Sequence, residues 1–328
     1  MGQVSSPRVQ DPPVMVGHSP AIRAVRDEIT CAARTQAKVL ILGETGVGKE
    51  VVARLIHAHS ARRDRAFIAV NCSGVPETLL ESELFGHVRG SFTGAFRDKT
   101  GLVQQADRGT LFLDELGEMS LRMQAVLLRF TETGEVQRVG ADSGVTRTDV
   151  RLITATHRDL RAQIAAGAFR EDLFYRLNVM QIHVPPLRER GDDILRLLEH
   201  YVDRTAQAHG LPQPTLTPDA AQLLLAYAWP GNVRELRNVT ERLVVQDLAR
   251  PLTPDDLPRE IRGTQATRTA GVAAASRNPA GPPVGTLDGV AAERVQRLWG
   301  RMQAGEDFWA VVHQPFKARA LTRADLAR

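Results

Sequence analysis

The sequence predicts an α/β fold with a parallel central sheet around a phosphate-binding loop, followed by a small all-α domain. Three observations predict it. The first is Lys38 to Glu50, K-V-L-I-L-G-E-T-G-V-G-K-E, where a short apolar run leads into G-x-x-x-x-G-K and then into helical spacing. The second is the alternation of short β-rich runs with helical segments from Val39 to Val184. The third is that this alternation stops at Leu187, after which helical segments are joined by proline-bearing turns.

With 328 residues, 43% of them hydrophobic and 24% charged, the chain is long enough to bury a sizeable core and to divide into two domains with appendages. The expected organisation is a disordered leader over 1–13, a nucleotide-binding α/β domain over 14–187 and an α-helical domain over 188–262. A flexible linker over 263–286 and a helical C-terminal fragment over 287–328, read as cut short, would follow. Met1 to Pro13 is polar and proline-rich where a secretory signal would be charged and then apolar, and no apolar run is long enough to span a bilayer. The cytoplasm is therefore the expected location, with no membrane partner. Cys31 and Cys72 are too few for a disulfide framework and lack metal-site spacing, so both read as reduced thiols. A net charge of +4 and a pI near 9.4 suit association with nucleic acid, yet the arginines are scattered, and charge by itself decides little.

Ser19 to Ala33 opens the fold as an N-capped amphipathic helix striped by Ile22, Val25 and Ile29. Val39 to Leu42 is a buried strand, and Gly43-Glu44-Thr45-Gly46-Val47-Gly48-Lys49 is a P-loop. Its glycines let backbone N–H groups close around phosphate oxygens, the helix start adds partial positive charge, and Lys49 reaches the outer phosphates of a nucleoside triphosphate. A plain glycine turn between strand and helix is the alternative, disfavoured by the flanking pattern. Glu50 stands where Ser or Thr would ordinarily ligate Mg²⁺. His57 and His59 are two apart on the next helix and point away from each other, which makes them surface or packing side chains. Phe67 to Val70 is a second strand whose polar end, Asn71-Cys72-Ser73, faces the nucleotide side, and Glu77 to Leu84 is helical.

Phe85 to Phe96 is a segment that a compact core does not need. Three glycines and weak periodicity leave Phe92 and Phe96 outside any regular element, which reads as a contact tip; a loop folded back on its own body is the alternative. Thr110 to Leu113 is a strand closed by Asp114-Glu115, a Walker B pair in which Asp114 organises Mg²⁺ and Glu115 orients and deprotonates the attacking water. A helix cap is the bland alternative for that pair. Leu121 to Thr131 is a helix, Gly134 to Val139 a hairpin-like segment, and Val150 to Thr156 a buried strand. Thr156-His157 then lies beside the γ-phosphate if the sheet is wound as other P-loop sheets are. Arg170 and Arg176, about a turn and a half of helix apart, form either a solvated face or a reach to a neighbour's nucleotide. Val179 to Val184 is the last strand. Ile194 to Gln207, Pro218 to Tyr227 and Val233 to Leu248 are helices, the last opened by Trp229-Pro230-Gly231-Asn232 with Asn232 as its cap. Leu287 to Met302 is amphipathic, and Phe308, Trp309, Val311, Val312 and Phe316 make a small aromatic and apolar cluster.

From about Val14 to Ile261 the chain resembles the AAA+ ATPase domain of bacterial enhancer-binding proteins, the NtrC-like activators of sigma-54 RNA polymerase. Several separated motifs carry the resemblance. Gly43 to Glu50 is similar to that family's Walker A, Glu50 included. Glu83-Leu84-Phe85-Gly86-His87 followed by Gly90-Ser91-Phe92-Thr93-Gly94-Ala95 resembles the GAFTGA loop, which touches the sigma factor; Ser91 replaces alanine there, and an exposed loop would hydrate its hydroxyl. The resemblance implies an AAA+ P-loop NTPase with a helical lid, ATP and Mg²⁺ as cofactors and Asp114 on the metal. It further implies that Asn71 restrains the catalytic glutamate Glu115, that Arg170 and Arg176 are trans-acting arginine fingers, and that Arg234 is sensor II. Thr156 and His157 hold the sensor I position, with His157 where the family usually has asparagine; imidazole is bulkier and titrates near neutrality.

What the resemblance implies for function is an ATP-hydrolysing ring, expected as a hexamer, that remodels the sigma-54 holoenzyme to open promoters and so activates transcription. Two other readings stay open: a nucleotide-regulated scaffold with little turnover, and another AAA+ remodeller or helicase, in which Gly90 to Ala95 has no reason to match. Promoter or enhancer DNA is left open as a partner, with no helix-turn-helix seen after residue 286.

Overall fold

The computed structural model describes residues 14–92, 94–141, 144–246 and 250–263. The leader, the linker beyond 263, the 287–328 fragment with its Phe308-Trp309 cluster, and Thr93 lie outside them. Helix α1 (Pro20–Ala33) starts at Ser19, whose side chain accepts from the Ile22 N–H, and it buries Ile22, Val25 and Ile29. Strand β1 (Val39–Leu42), helix α2 (Lys49–Ala58), β2 (Phe67–Asn71) and α3 (Glu77–Phe85) follow. Next come the short strands β3 (Gly86–His87) and β4 (Lys99–Thr100), then α4 (Leu102–Gln105), β5 (Thr110–Asp114) and α5 (Leu121–Thr133). After β6 (Glu135–Val136) and β7 (Thr146–Arg147) the chain forms β8 (Arg151–Thr156), α6 (Leu160–Ala165), α7 (Glu171–Leu177) and β9 (Met180–His183). Helices α8 (Asp193–His209), α9 (Pro218–Ala226) and α10 (Asn232–Val245) make the helical part.

Five strands form one parallel sheet in the order β2-β5-β8-β1-β9. Parallel strands need crossovers, and here helices supply them and cover both faces, so the strands are apolar runs instead of alternating ones. One face packs Val25, Ile29, Val52 and Ile56 against Phe112 and Ile153. The other packs Leu84, Phe85, Met123 and Leu127 against Leu111 and Leu113. Register then places the site: Leu42 pairs with Thr156, and Asn71 with Asp114. The ends of β1, β2, β5 and β8 therefore meet on one carboxyl edge, the usual place for a ligand in such sheets.

A separate core fills the helical part around Trp229, which is fully buried and donates its indole N–H to Leu224 O at 2.9 Å. His57 is a packing residue, buried with Nδ1 2.9 Å from Thr110 Oγ1. Burial pushes the Cys72 thiol up to about 12, which keeps it protonated. The hairpin-like segment is smaller and longer-ranged than expected: Glu135–Val136 pairs with Thr146–Arg147, beyond the stretch assigned to it. A two-residue strand leaves too short a period for its partner to be read locally. Among the described residues no helix is long and apolar enough to cross a membrane.

Candidate active site

Gly48 caps α2 in the left-handed region, φ 104°, and Lys49 is the first residue of the helix. The Lys49 side chain is buried and turns back over the loop: Nζ donates to Gly43 O at 3.0 Å and Glu44 O at 3.3 Å, and lies 3.7 Å from Glu115 Oε1. A buried ammonium keeps its charge only with such partners. At the end of β5, Asp114 Oδ1 accepts from the Glu115 N–H at 2.9 Å. Burial pushes the Asp114 carboxyl up, that N–H pulls it back, and the neighbouring Glu115 charge pushes it up further, leaving a net rise.

Glu115 sits in the left-handed region at φ 54°, ψ 46°, which few non-glycine residues adopt without local compensation. Its Oε2 accepts from His157 Nδ1 at 2.6 Å and, at 3.4 Å, from the His157 backbone N–H. Burial alone would raise this carboxyl, but donation from His157 and the Lys49 charge outweigh it and hold the group below its ordinary value. Thr156 is buried, its Oγ1 accepting from Arg158 N at 3.1 Å. Thr156-His157 and the Asp114–Glu115 pair are thus brought together by β8 lying beside β5.

These residues fit a nucleoside triphosphate with Mg²⁺. Gly46 at φ 80° and Gly48 at φ 104° give the loop the left-handed turns that point successive N–H groups inward, and a side chain at Gly46 would strike Gly231 O. No group of three or more His, Cys, Asp or Glu among the described residues could hold a metal alone. That suits Mg²⁺, which takes one or two carboxylates and completes its shell with phosphate oxygens and water. A cavity of about 350 Å³ lined by Glu81, Phe85, Arg122, Arg129 and Arg138 lies elsewhere, and none of its lining belongs to the P-loop or the Walker B pair.

Among the described residues Asn71 makes no hydrogen bond to Glu115; its Oδ1 accepts from Ser73 N and Ser73 Oγ, both at 2.8 Å, the amide oxygen closing its own turn. The Glu44 carboxylate faces the helical part, where Arg188 grips it at 2.6 and 3.0 Å, while its backbone stays in the P-loop. Asn232 is not a helix cap. Gly231 takes the cap position, while Asn232 is buried at φ 53° and spends its amide in three directions. Its Oδ1 accepts from Leu187 N at 2.8 Å, and its Nδ2 donates to Glu44 Oε2 at 3.0 Å and Thr45 O at 3.1 Å. Arg190 donates to Val47 O at 2.8 Å, and the Arg234 backbone N–H to Gly46 O at 3.3 Å. Four consecutive P-loop residues are therefore clasped from the helical side. The sequence signal for Asn232 was its place after Pro-Gly, where asparagine tolerates the left-handed region; Arg188 and Arg190 carried no signal.

The other named residues are placed as follows. Glu50 is exposed and pairs with Arg54 at 2.7 Å, one helical turn on. Arg234 is exposed beside the loop it touches with its backbone. Arg170 precedes α7 and grips Asp172 at 2.7 and 3.0 Å, and Arg176 donates to Thr131 O at 2.9 and 3.1 Å. Both are exposed, and neither hydrogen-bonds this chain's P-loop. The loop between β3 and β4 stands on their ladder, with Gly90 at φ 83° and Gly94 at φ 106°, and is closed by Gly90 N to Ala95 O at 2.8 Å. Phe92 is 37% exposed with its ring 5.0 Å from that of His87, and Phe96 is 87% exposed. Ser91 differs from expectation: its Oγ is shielded from solvent and has no hydrogen-bond partner, because the residue tucks against Gly140.

The family model for the sigma-54 interaction domain matches residues 15–183, and that for the AAA+ ATPase lid domain matches residues 188–274. The chain is 51% identical over 250 residues to the transcriptional regulatory protein ZraR of Klebsiella oxytoca, covering 76% of this chain and 56% of that one. It is 50% identical over 242 residues to the Nif-specific regulatory protein of Azotobacter vinelandii, covering 74% and 46%. The chain spans about half the length of the curated relatives it matches. Among solved structures, NtrX from Brucella abortus in complex with ADP is similar with a TM-score of 0.70 and 34% identity, over 85% of this chain and 59% of that one. The same protein in complex with ATP gives 0.70 and 33%, over 94% and 69%. With a P-loop sheet, a helical lid and a family model spanning half its residues, the chain belongs to the sigma-54 interaction domain family of AAA+ P-loop NTPases.

Proposed function

We propose that this chain is the ATP-hydrolysing engine of a sigma-54-dependent transcriptional activator, working in the cytoplasm as a homo-oligomeric ring that remodels the polymerase holoenzyme. The observation that carries this reading is the convergence of buried Lys49 and the Asp114–Glu115 pair on one sheet edge, in a chain that also presents Phe92 on a glycine-pinned loop. Lys49 binds the outer phosphates, Asp114 holds Mg²⁺, and Glu115 takes the proton of the attacking water. When bound, Mg²⁺ neutralises charge developing on the phosphate oxygens. Glu115 suits the base because it lies beside the phosphate-binding lysine yet is only partly covered. Arg170 and Arg176 would act on the neighbouring subunit, which their exposure allows. The names of the relatives, which are transcriptional regulators, support the output.

The alternative of a nucleotide-regulated scaffold is favoured by one contact, the hydrogen bond that occupies Glu115. The experiment that separates the two measures phosphate release with and without sigma-54, beside native-gel binding to sigma-54 with ADP and aluminium fluoride. Turnover is expected in both arms, and Phe92→Ala is expected to lose roughly 30-fold in sigma-54 affinity, the weight of one aromatic hot spot. Nucleotide binding without turnover in either arm would establish the scaffold instead, and full sigma-54 binding by Phe92→Ala would remove the loop from the contact.

A further inference from the structure

We propose that His157 is the residue that restrains the catalytic base: its ring and backbone N–H hold the Glu115 carboxylate against the end of β8, and loss of that grip frees Glu115 to orient water. This rests on the ATPase reading and goes beyond it, by assigning to His157 a positioning role on Glu115 rather than on nucleotide alone. Three observations support it. Both carboxylate oxygens are engaged, Oε2 by His157 Nδ1 at 2.6 Å and His157 N at 3.4 Å, and Oε1 by Lys49 at 3.7 Å. A carboxylate held by a charged or strong donor is fixed in direction and is a weaker base toward water until that donor lets go. Asn71, in the other position from which a restraint would be expected, makes no hydrogen bond to Glu115 among the described residues.

The third observation is placement. Thr156 pairs with Leu42, the last strand residue before the P-loop, and His157 is the next residue along. One hydrogen bond therefore separates the base from the strand that flanks the phosphate loop. Glu115 adopts a left-handed backbone, φ 54°, and its side chain meets His157 and Lys49 together. An imidazole and a carboxamide place their first nitrogen at the same number of bonds from Cβ, so His157→Asn can donate from the position of Nδ1, whereas His157→Ala cannot.

The test uses the full chain, with kcat, KM and ADP affinity measured for the parent, His157→Ala and His157→Asn. Removing one charge-assisted hydrogen bond from the base is expected to raise kcat of His157→Ala by roughly tenfold. ADP affinity should stay within about twofold of the parent's, since the contact is to Glu115. His157→Asn should stay near the parent in kcat. A kcat that falls in both variants, or an ADP affinity that falls while kcat holds, would assign His157 to the nucleotide and overturn the proposal. Histidine-selective ¹⁵N NMR reads the contact without turnover: Glu115→Gln must move the His157 Nδ1 resonance, and an unmoved signal overturns the contact. A parent that hydrolyses no ATP counts against the activity reading, while the NMR result still decides the contact.

Discussion

Lys49 and Glu115 share one electrostatic environment and should fail differently. Lys49→Ala removes the charge that meets the outer phosphates, so nucleotide binding is expected to be lost. Glu115→Gln keeps the shape of the site and removes the base, so ATP should still bind while hydrolysis drops by about 10² to 10⁴. Equal turnover in Glu115→Gln and the parent, by phosphate release, would take the base away from Glu115. Glu44 offers a test in stability. Hydrogen bonds from Arg188 and then Asn232 hold its carboxyl down at about 2 against an ordinary 4.5. A folded value below the unfolded one contributes stability that is present above the unfolded value and is lost as pH falls toward the folded one. The Tm gap between the parent and Glu44→Gln should therefore be widest above about pH 5 and close as pH approaches 2. A gap independent of pH would mean that the clasp does not depend on the Glu44 charge. None of this was legible in the chain, because Glu44 and Arg188 are 144 residues apart.

At the scale of elements, the loop between β3 and β4 was legible as a loop and misjudged at one residue. Glycines 90 and 94, with φ of 83° and 106°, carried its turns in the sequence itself. Ser91, expected to be hydrated, is instead packed against Gly140 from the β6–β7 connection, and no local pattern reports that approach. A shielded hydroxyl without a partner is unfavourable, so Ser91→Ala should stabilise the chain by about 1 kcal/mol, read as a raised Tm. A lowered Tm would mean that the hydroxyl finds a partner in solution. The strands and most long helices were read to within a residue or two, since apolar runs and capping residues are local signals, while α10 ends at Val245 where Leu248 was expected.

At the scale of the whole molecule, the proposed ring gives Arg170 and Arg176 their use. Both are exposed, and among the described residues their side chains hydrogen-bond Asp172 and Thr131 O. Under the proposed ring, Arg170→Ala or Arg176→Ala should cut hydrolysis by about 10³ to 10⁵, the usual weight of an arginine supplied in trans. Mixing either variant with Glu115→Gln should restore part of the activity, because a mixed ring pairs an intact finger with an intact base. Specific activity that does not change with protein concentration, starting from a monomer shown by light scattering, would leave the two arginines as surface charge.

The sequence by itself determined the P-loop, the Walker B pair, the strands that carry them and the change to an all-helical part. Each of these is written in a short window by glycine placement, apolar period and capping residues, whose physics acts over a few residues. Which distant groups hold one another was settled only by the tertiary structure: His157 on Glu115, and Asn232 and Arg188 on Glu44. The first depends on strand order, which sets β5, β8 and β1 side by side and brings residues 42, 114 and 156 to one edge, and the second on the packing of the helical part against the P-loop. A hydrogen bond acts only within about 3 Å, so its partner is settled by which strands become neighbours and not by distance along the chain.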